Sequence, residues 1–247
     1  MSVQKTMVDE VDPDGKWLYR VGSMSAFVLG IGYLIIIALY VSAGGPPRGS
    51  NVETRLIYLA EHSTAWWGIL SLSVLTDFLY IPITFALCLA LKGINRSMML
   101  LATACILSFV VLELGITWMN YAVLLDLSSS YAAAANAAQR AVFVTTASYP
   151  FAVLDSHHLL GVYTILMTGI GIFMIGLVML KGVFSKTTAY LALVSSGLTI
   201  VAVVGTPFIS ALWVTVIIGS ALIGVWVFFV AYRLYRLGQQ GPQHLSA

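Results

Sequence analysis

TAWWGILSLSVLTDFLYIPITFALCLALKGINRSMMLLATACILSFVVLELGITWMNYAVLLDL, residues 64–127, holds two long apolar runs separated only by the six residues Lys92 to Ser97. About 20 apolar residues cross a bilayer core as a helix. Thr64 to Leu91 and Met98 to Leu127 therefore read as two transmembrane spans, and the short basic connection makes them an antiparallel hairpin. The same pattern recurs at 21–43, 157–180, 187–206 and 209–232. The fold class expected is all-α, a polytopic membrane bundle of six transmembrane helices within residues 21–232. A leader, 1–20, precedes it and a tail, 233–247, follows.

Composition supports this class. The chain is 60% hydrophobic and 9% charged, with a mean hydropathy of +0.94, which excludes a water-soluble domain. A net charge of +2 without a basic run gives no footprint for nucleic acid. Cys88 and Cys105 fall inside apolar runs and read as small apolar fillers. No retinal-type lysine, phosphate loop, nucleophile elbow or nucleotide fingerprint is present.

The connections alternate in length. Gly44 to Ser63 and Ser128 to Ser156 are long, Lys181 to Lys186 is short, and a tight turn at Pro207 joins the last two spans. Of the 12 basic residues, only Arg48, Arg55 and Arg140 fall on the side of the long connections, leaving nine opposite. The positive-inside rule then places both termini in the cytoplasm and the long connections outside. Val41-Ser42-Ala43 resembles a signal-peptide cleavage site, but the apolar run is too long and its leader carries Asp9, Glu10, Asp12 and Asp14. It reads as a retained helix.

The Ala132 to Ala138 run, followed by Arg140, Val142, Phe143 and Val144, predicts an extracytoplasmic helix between spans three and four, ended by Pro150. Small residues at helical spacing, Ala26 with Gly30, Gly161 and Ile165 with Gly169, and Ser220 with Gly224, suit close helix packing. Trp17, Tyr19, Trp66, Trp67, Trp118, Tyr121 and Trp213 read as interface anchors.

Asp77 and Glu113 break the pattern, since each lies near the middle of a span. An aspartate there costs about 2.5–3.5 kcal/mol on insertion scales. Counting from the hairpin, Asp77 precedes Lys92 by fifteen residues and Glu113 follows Arg96 by seventeen, giving heights of roughly 22 and 26 Å at 1.5 Å per residue. The two acids should therefore meet, directly or through water. Each lies on a polar stripe: Ser73, Asp77, Tyr80 and Thr84 on one span, Glu113, Thr117 and Asn120 on the other. Pro82 frees a backbone carbonyl near the first stripe. With no lysine or arginine at this depth, the pair is expected to hold at least one proton or a cation. Asp77, Glu113, Tyr80, Thr117 and Asn120 form the candidate ligand-binding set. The plainer alternative is a pair of protonated acids acting as hydrogen-bond donors between helices.

A second set lies at the extracytoplasmic edge, with Glu61 and His62 opening span two and Asp155, His157 and His158 opening span four. A zinc or copper ion would accept such ligands, although their spacing matches no metal motif. Haem between His62 and His157 ranks below a metal ion.

The order of parts, from Tyr19-Arg20-Val21-Gly22 through the long first outer loop and the Ala-rich outer helix to Asp155–His158, resembles a family of bacterial six-helix membrane proteins defined only as a domain of unknown function. That resemblance implies a six-span bundle in a prokaryotic cytoplasmic membrane and supplies no activity. On the residues alone, the favoured reading is a non-enzymatic bundle binding a proton, cation or small amine at the acid pair. An accessory subunit of a larger membrane complex or a homo-oligomer is one alternative. A membrane enzyme or binding protein with an edge metal or haem is the other.

The threading is open to a direct check. With Cys88 and Cys105 replaced by alanine, Gln139→Cys should react with a membrane-impermeant maleimide in intact cells, and Gly93→Cys only after permeabilisation. The reverse pattern would invert the topology.

Overall fold

A computed structural model describes residues 15–44, 50–156 and 158–239. In chain order the elements are α1 Lys16–Ala43, α2 Val52–Glu61, α3 Ser63–Leu91, α4 Arg96–Leu112, a π-helical turn Glu113–Trp118, α5 Met119–Ala132 and α6 Ala137–Asp155. A π-helical stretch His158–Ile165 follows, then α7 Leu166–Met179, α8 Lys186–Gly205, a 3-10 turn Ser210–Trp213 and α9 Val214–Gln239. No strand occurs among the described residues. Among the described residues, six helical segments are long and apolar enough to cross a membrane: Lys16–Ala43, Ser63–Leu91, Arg96–Ala132, Leu160–Met179, Lys186–Gly205 and Ser210–Gln239.

The side chains are distributed as an apolar solvent requires. Exposed positions on the spans carry Met24, Phe27, Leu34, Leu100, Leu101, Val111, Val201 and Ile217, while Ser73, Thr76, Ser128, Ser195, Ser196 and Thr199 are buried. Several buried hydroxyls are satisfied within their own helices: Thr76 donates to the Ser73 carbonyl at 2.8 Å, Ser128 to Leu125 at 2.8 Å and Thr199 to Ser195 at 2.9 Å. Such an arrangement is that of a multi-pass membrane protein.

Local chemistry explains where the helices differ from the expected boundaries. The connection Gly44 to Ser63 contains α2, which Asn51 caps by accepting from the Thr54 amide and hydroxyl, both at 2.8 Å. Glu53 in its first turn favours the helix dipole. The third span runs on to Ala132, five residues past Leu127. The next helix begins at Ala137, near the end of the Ala132 to Ala138 run and not at its start, because Asn136 caps it at the Gln139 amide while the Gln139 side chain takes the Ala135 amide, each at 2.9 Å. This reciprocal arrangement resembles a capping box. Pro150 does not end that helix. It is buried inside α6, and Thr146, whose carbonyl it leaves without an amide donor, is on the exposed side. The last helix continues through Gln239, past Tyr232.

The chain divides into two compact units. The first comprises residues 1–31, 78–110 and 165–247. Here α7 and α9 both pack on α8, and small residues allow close approach: a Cβ on Gly176 would stand 3.1 Å from the Ala192 Cβ, and one on Gly171 would stand 2.7 Å from Ile106. Arg20 Nε donates to the Gly238 carbonyl at 3.2 Å and Ser23 Oγ to the Ala231 carbonyl at 2.8 Å, tying α1 to α9. Ser220 faces outward, and its neighbour Gly219 takes the interface position.

The second unit comprises residues 32–77 and 111–164. Its core joins Leu56 and Leu59 of α2, Trp66, Ile69 and Leu70 of α3, Leu124, Leu125 and Tyr131 of α5, and Ala147, Phe151 and Leu154 of α6. The short helix α2 thus packs on both α5 and α6.

A paired substitution tests the close packing. A Cβ at Gly219 would lie 2.7 Å from Thr199 Oγ1 and 2.9 Å from the Ser195 carbonyl, whereas one at Gly197 meets nothing within 4 Å. Gly219→Ala should lower stability by about 1–3 kcal/mol through overpacking. Gly197→Ala should leave stability unchanged or raise it by up to ~1 kcal/mol, with thermal unfolding in detergent as the measurement.

Candidate functional site

Asp77 lies on α3 with Ser73, Tyr80 and Thr84 of its stripe, and all four are buried, Asp77 to 4% exposure. The stripe therefore faces protein, as its spacing predicted. Trp118 supplies the partner of Asp77: its indole Nε1–H donates to Asp77 Oδ2 at 2.5 Å. The bond joins α3 to the far end of the π-helical turn, and Glu113 opens that turn. The Glu113 carboxyl acts electrostatically on Asp77. Among the described residues no hydrogen bond joins the two acids directly; the Asp77 carboxyl is taken by the indole instead.

The π-helical turn is what the stripe pattern did not disclose. In such a turn the backbone bonds close one residue later than in an α-helix, and single π turns inside α-helices recur at functional sites. Asn120 supports the turn locally, since its Nδ2 donates to the Ile116 carbonyl at 2.6 Å.

Glu113 is flanked by two hydroxyls. Those of Thr117, one turn on, and Thr164, in the second π-helical stretch, lie beside its carboxyl. Thr164 Oγ1 donates to the Leu160 carbonyl at 2.6 Å. Thr117 stands near Glu113 without the geometry of a hydrogen bond, and both Thr117 Oγ1 and Glu113 Oε2 are buried with no partner among the described residues. Buried polar atoms are seldom left this way, because each forfeits about 1–3 kcal/mol of lost hydration.

Aromatic rings pack beside the acids. Trp66, only 1% exposed, stacks on Tyr121 with centroids 5.2 Å apart and takes the edge of Tyr40 at 5.4 Å. Tyr121 in turn lies 5.9 Å from the Trp118 ring. The Trp66 indole donates to the Tyr58 hydroxyl at 3.3 Å, which donates to the Ala43 carbonyl at 3.0 Å. Of the residues read as interface anchors, Trp66 is buried in this core and Trp118 and Tyr121 are partly buried against it. Tyr19 is also buried, while Trp17 and Trp67 are exposed. Tyr80 belongs to the first unit, edge-on to Phe109 at 5.6 Å.

Among the described residues, the members of the expected metal set are otherwise engaged or exposed. Both Asp155 oxygens are taken by Arg55, whose Nη1 and Nη2 approach at 2.6 and 3.0 Å, and the guanidinium lies 3.8 Å above the Phe151 ring. His62 stacks on Tyr58 at 4.6 Å and lies with Nδ1 2.9 Å from the Tyr58 carbonyl. If that contact is a hydrogen bond, the proton is assigned to Nδ1 and Nε2 is left as the acceptor. Glu61 is exposed. His157 lies outside the described residues, as does the side chain of His158, so the proposed haem pair His62–His157 does too. Among the described residues, no three of His, Cys, Asp and Glu come together in a way that could hold a metal ion. Elsewhere in the same unit, Tyr131 donates to Glu53 and has Arg140 5.7 Å from its ring.

Comparison with protein-family models, with curated proteins and with solved structures gives no match to this chain.

Asn120→Leu removes the donor that the π-helical turn supplies to Ile116. It should lower the melting stability by about 1 kcal/mol, the usual net worth of such a bond. An unchanged midpoint would show that the turn stands without the carboxamide.

Proposed function

We propose that this protein is a non-enzymatic, multi-pass membrane protein whose mid-span acids Asp77 and Glu113 bind a proton or a small cation. The observation that carries the reading is the unpartnered Glu113 Oε2, buried beside the equally unpartnered Thr117 hydroxyl and within electrostatic reach of Asp77. Two carboxyls in a low-dielectric interior cannot both remain charged without a counter-charge. A proton on one of them, or a cation between them, supplies it. Membrane-embedded acids that face one another commonly mark proton or ion sites. The charge asymmetry of the connections supports both termini lying on the cytoplasmic side, and a prokaryotic cytoplasmic membrane is what the family resemblance implies.

The test is a carboxyl-stretch infrared titration of the protein in lipid, run on the parent, Asp77→Asn and Glu113→Gln. The parent should show a carboxyl band that titrates, and one of the two variants should lose it. Identical spectra across the pH range in all three would reduce the pair to structural hydrogen bonding.

A further inference from the structure

We propose that one edge of the α1–α9 pair, at the end where α1 begins and α9 finishes, binds the phosphate of an anionic phospholipid through Arg20. Charge carries the first step. Of the 12 basic residues, Lys5 lies in the leader and Arg48, Arg55 and Arg140 fall outside the first unit, which leaves eight among its described residues. Those residues include no aspartate or glutamate. The eight gather at one end of the unit. A Cβ on Gly15, beside Lys16, would meet Leu89 near the close of α3, and one on Gly182, beside Lys181, would meet Ile94 of the α3–α4 hairpin. The bond from Arg20 Nε to the Gly238 carbonyl at 3.2 Å brings the close of α9 to the start of α1. Among the described residues, this end carries cations with no counter-charge. The positive-inside rule assigns it to the cytoplasmic leaflet, whose surface anionic lipids make negative.

Packing singles out Arg20 and the class of ligand. Its Nε is committed to Gly238, which holds the guanidinium in place, and its Nη atoms have no hydrogen-bond partner among the described residues. An exposed, fixed guanidinium with free donors suits a phosphate. Further along the pair, Phe27 and Phe228 meet edge to face with centroids 5.9 Å apart. Seven residues, or about two turns, nearer the ends stand Arg20 on α1 and Tyr235 on α9, so both share the edge that the ring pair marks. Trp17 and Met24, three residues before Arg20 and four after it, flank it on the same side of α1. Trp17, Met24, Phe27 and Tyr235 are all exposed. The edge thus sets a cation between two aromatic rings, where headgroups lie, and continues away from the ends as an apolar strip of Met24 and Phe27. An anionic head with acyl chains matches both parts. An acidic peptide, such as the leader's Asp9, Glu10, Asp12 and Asp14, matches the charge and leaves the strip bare.

Native mass spectrometry of the full chain in detergent, with equal amounts of phosphatidylglycerol and phosphatidylcholine of matched acyl chains, tests the site. The parent should retain phosphatidylglycerol about fivefold more than phosphatidylcholine, the preference that one basic residue confers at a charged surface. Arg20→Gln keeps a donor for the Gly238 carbonyl and should lose that preference. Lys181→Gln removes an exposed cation from the turn between α7 and α8 and should keep it. Equal retention of the two lipids by the parent, a result that needs no variant, would overturn the site, and so would equal losses in both variants. Displacement of phosphatidylglycerol by soluble glycerol 1-phosphate would show that the edge takes free phosphate and overturn the lipid assignment. A preference that emerges only when Asp9, Glu10, Asp12 and Asp14 are replaced by their amides would make the leader the occupant and overturn it likewise.

Discussion

The hydrogen bond from the Trp118 indole to the Asp77 carboxyl is the contact on which the second unit depends. A carboxyl in the middle of an apolar helix is a standing liability, and the unit is arranged to contain it. The indole N–H offers a donor without bringing a charge, and its ring keeps the apolar packing intact through Tyr121 and Trp66. One side chain thereby satisfies a buried acid and extends an aromatic core. Replacing it by an apolar residue of similar size would keep the packing and leave Asp77 without its donor.

The π-helical turn makes that contact geometrically compatible with Glu113 on the same segment. At 100° per residue, five α-helical steps would set Trp118 about 140° away from Glu113 around the helix. Closing the backbone bond one residue later widens the turn and brings residues five apart closer to a single side. Glu113 and Trp118 can then both attend to the neighbourhood of Asp77. Asn120, read from its spacing as a member of the ligand stripe, has its carboxamide committed to the Ile116 carbonyl within the turn. Its contribution is to backbone geometry.

Much of this was legible in the sequence. The six spans follow from run length and composition, and the burial of Ser73, Asp77, Tyr80 and Thr84 follows from their spacing on α3. The third helix was harder, because a π turn inserts no proline or glycine break and its residues satisfy α-helical spacing nearly as well. Trp118 consequently read as an interface anchor when its indole is in fact the partner of Asp77. Thr164 was invisible for a related reason: its proximity to Glu113 depends on long-range packing that no periodicity encodes. The helix α2 was missed because ten residues are too few for a clear pattern, although Asn51 followed by Glu53 carries its capping signal. At Asp155 chemistry suggested a metal ligand, but Arg55, one hundred positions away in sequence, reached it first.

The two acidic sites of the second unit differ in what their survival implies. Asp155 is 59% exposed and Arg55 15%, and their fork-shaped pairing is reinforced by the Phe151 ring. A pair with one solvated partner contributes little, typically 0–1 kcal/mol, but it also costs little to keep. Its presence is adequately explained by fastening α2 to α6. No such explanation covers Glu113. If the acids served only to fasten helices, Thr117 and Glu113 would be expected to bond each other, since they stand side by side. They leave two buried oxygens open instead, an arrangement that loses stability unless something else occupies it. A structural role therefore accounts for the Arg55–Asp155 pair and for Asp77–Trp118, while the unpartnered oxygens at Glu113 and Thr117 are the observation on which the proposed proton or cation site rests.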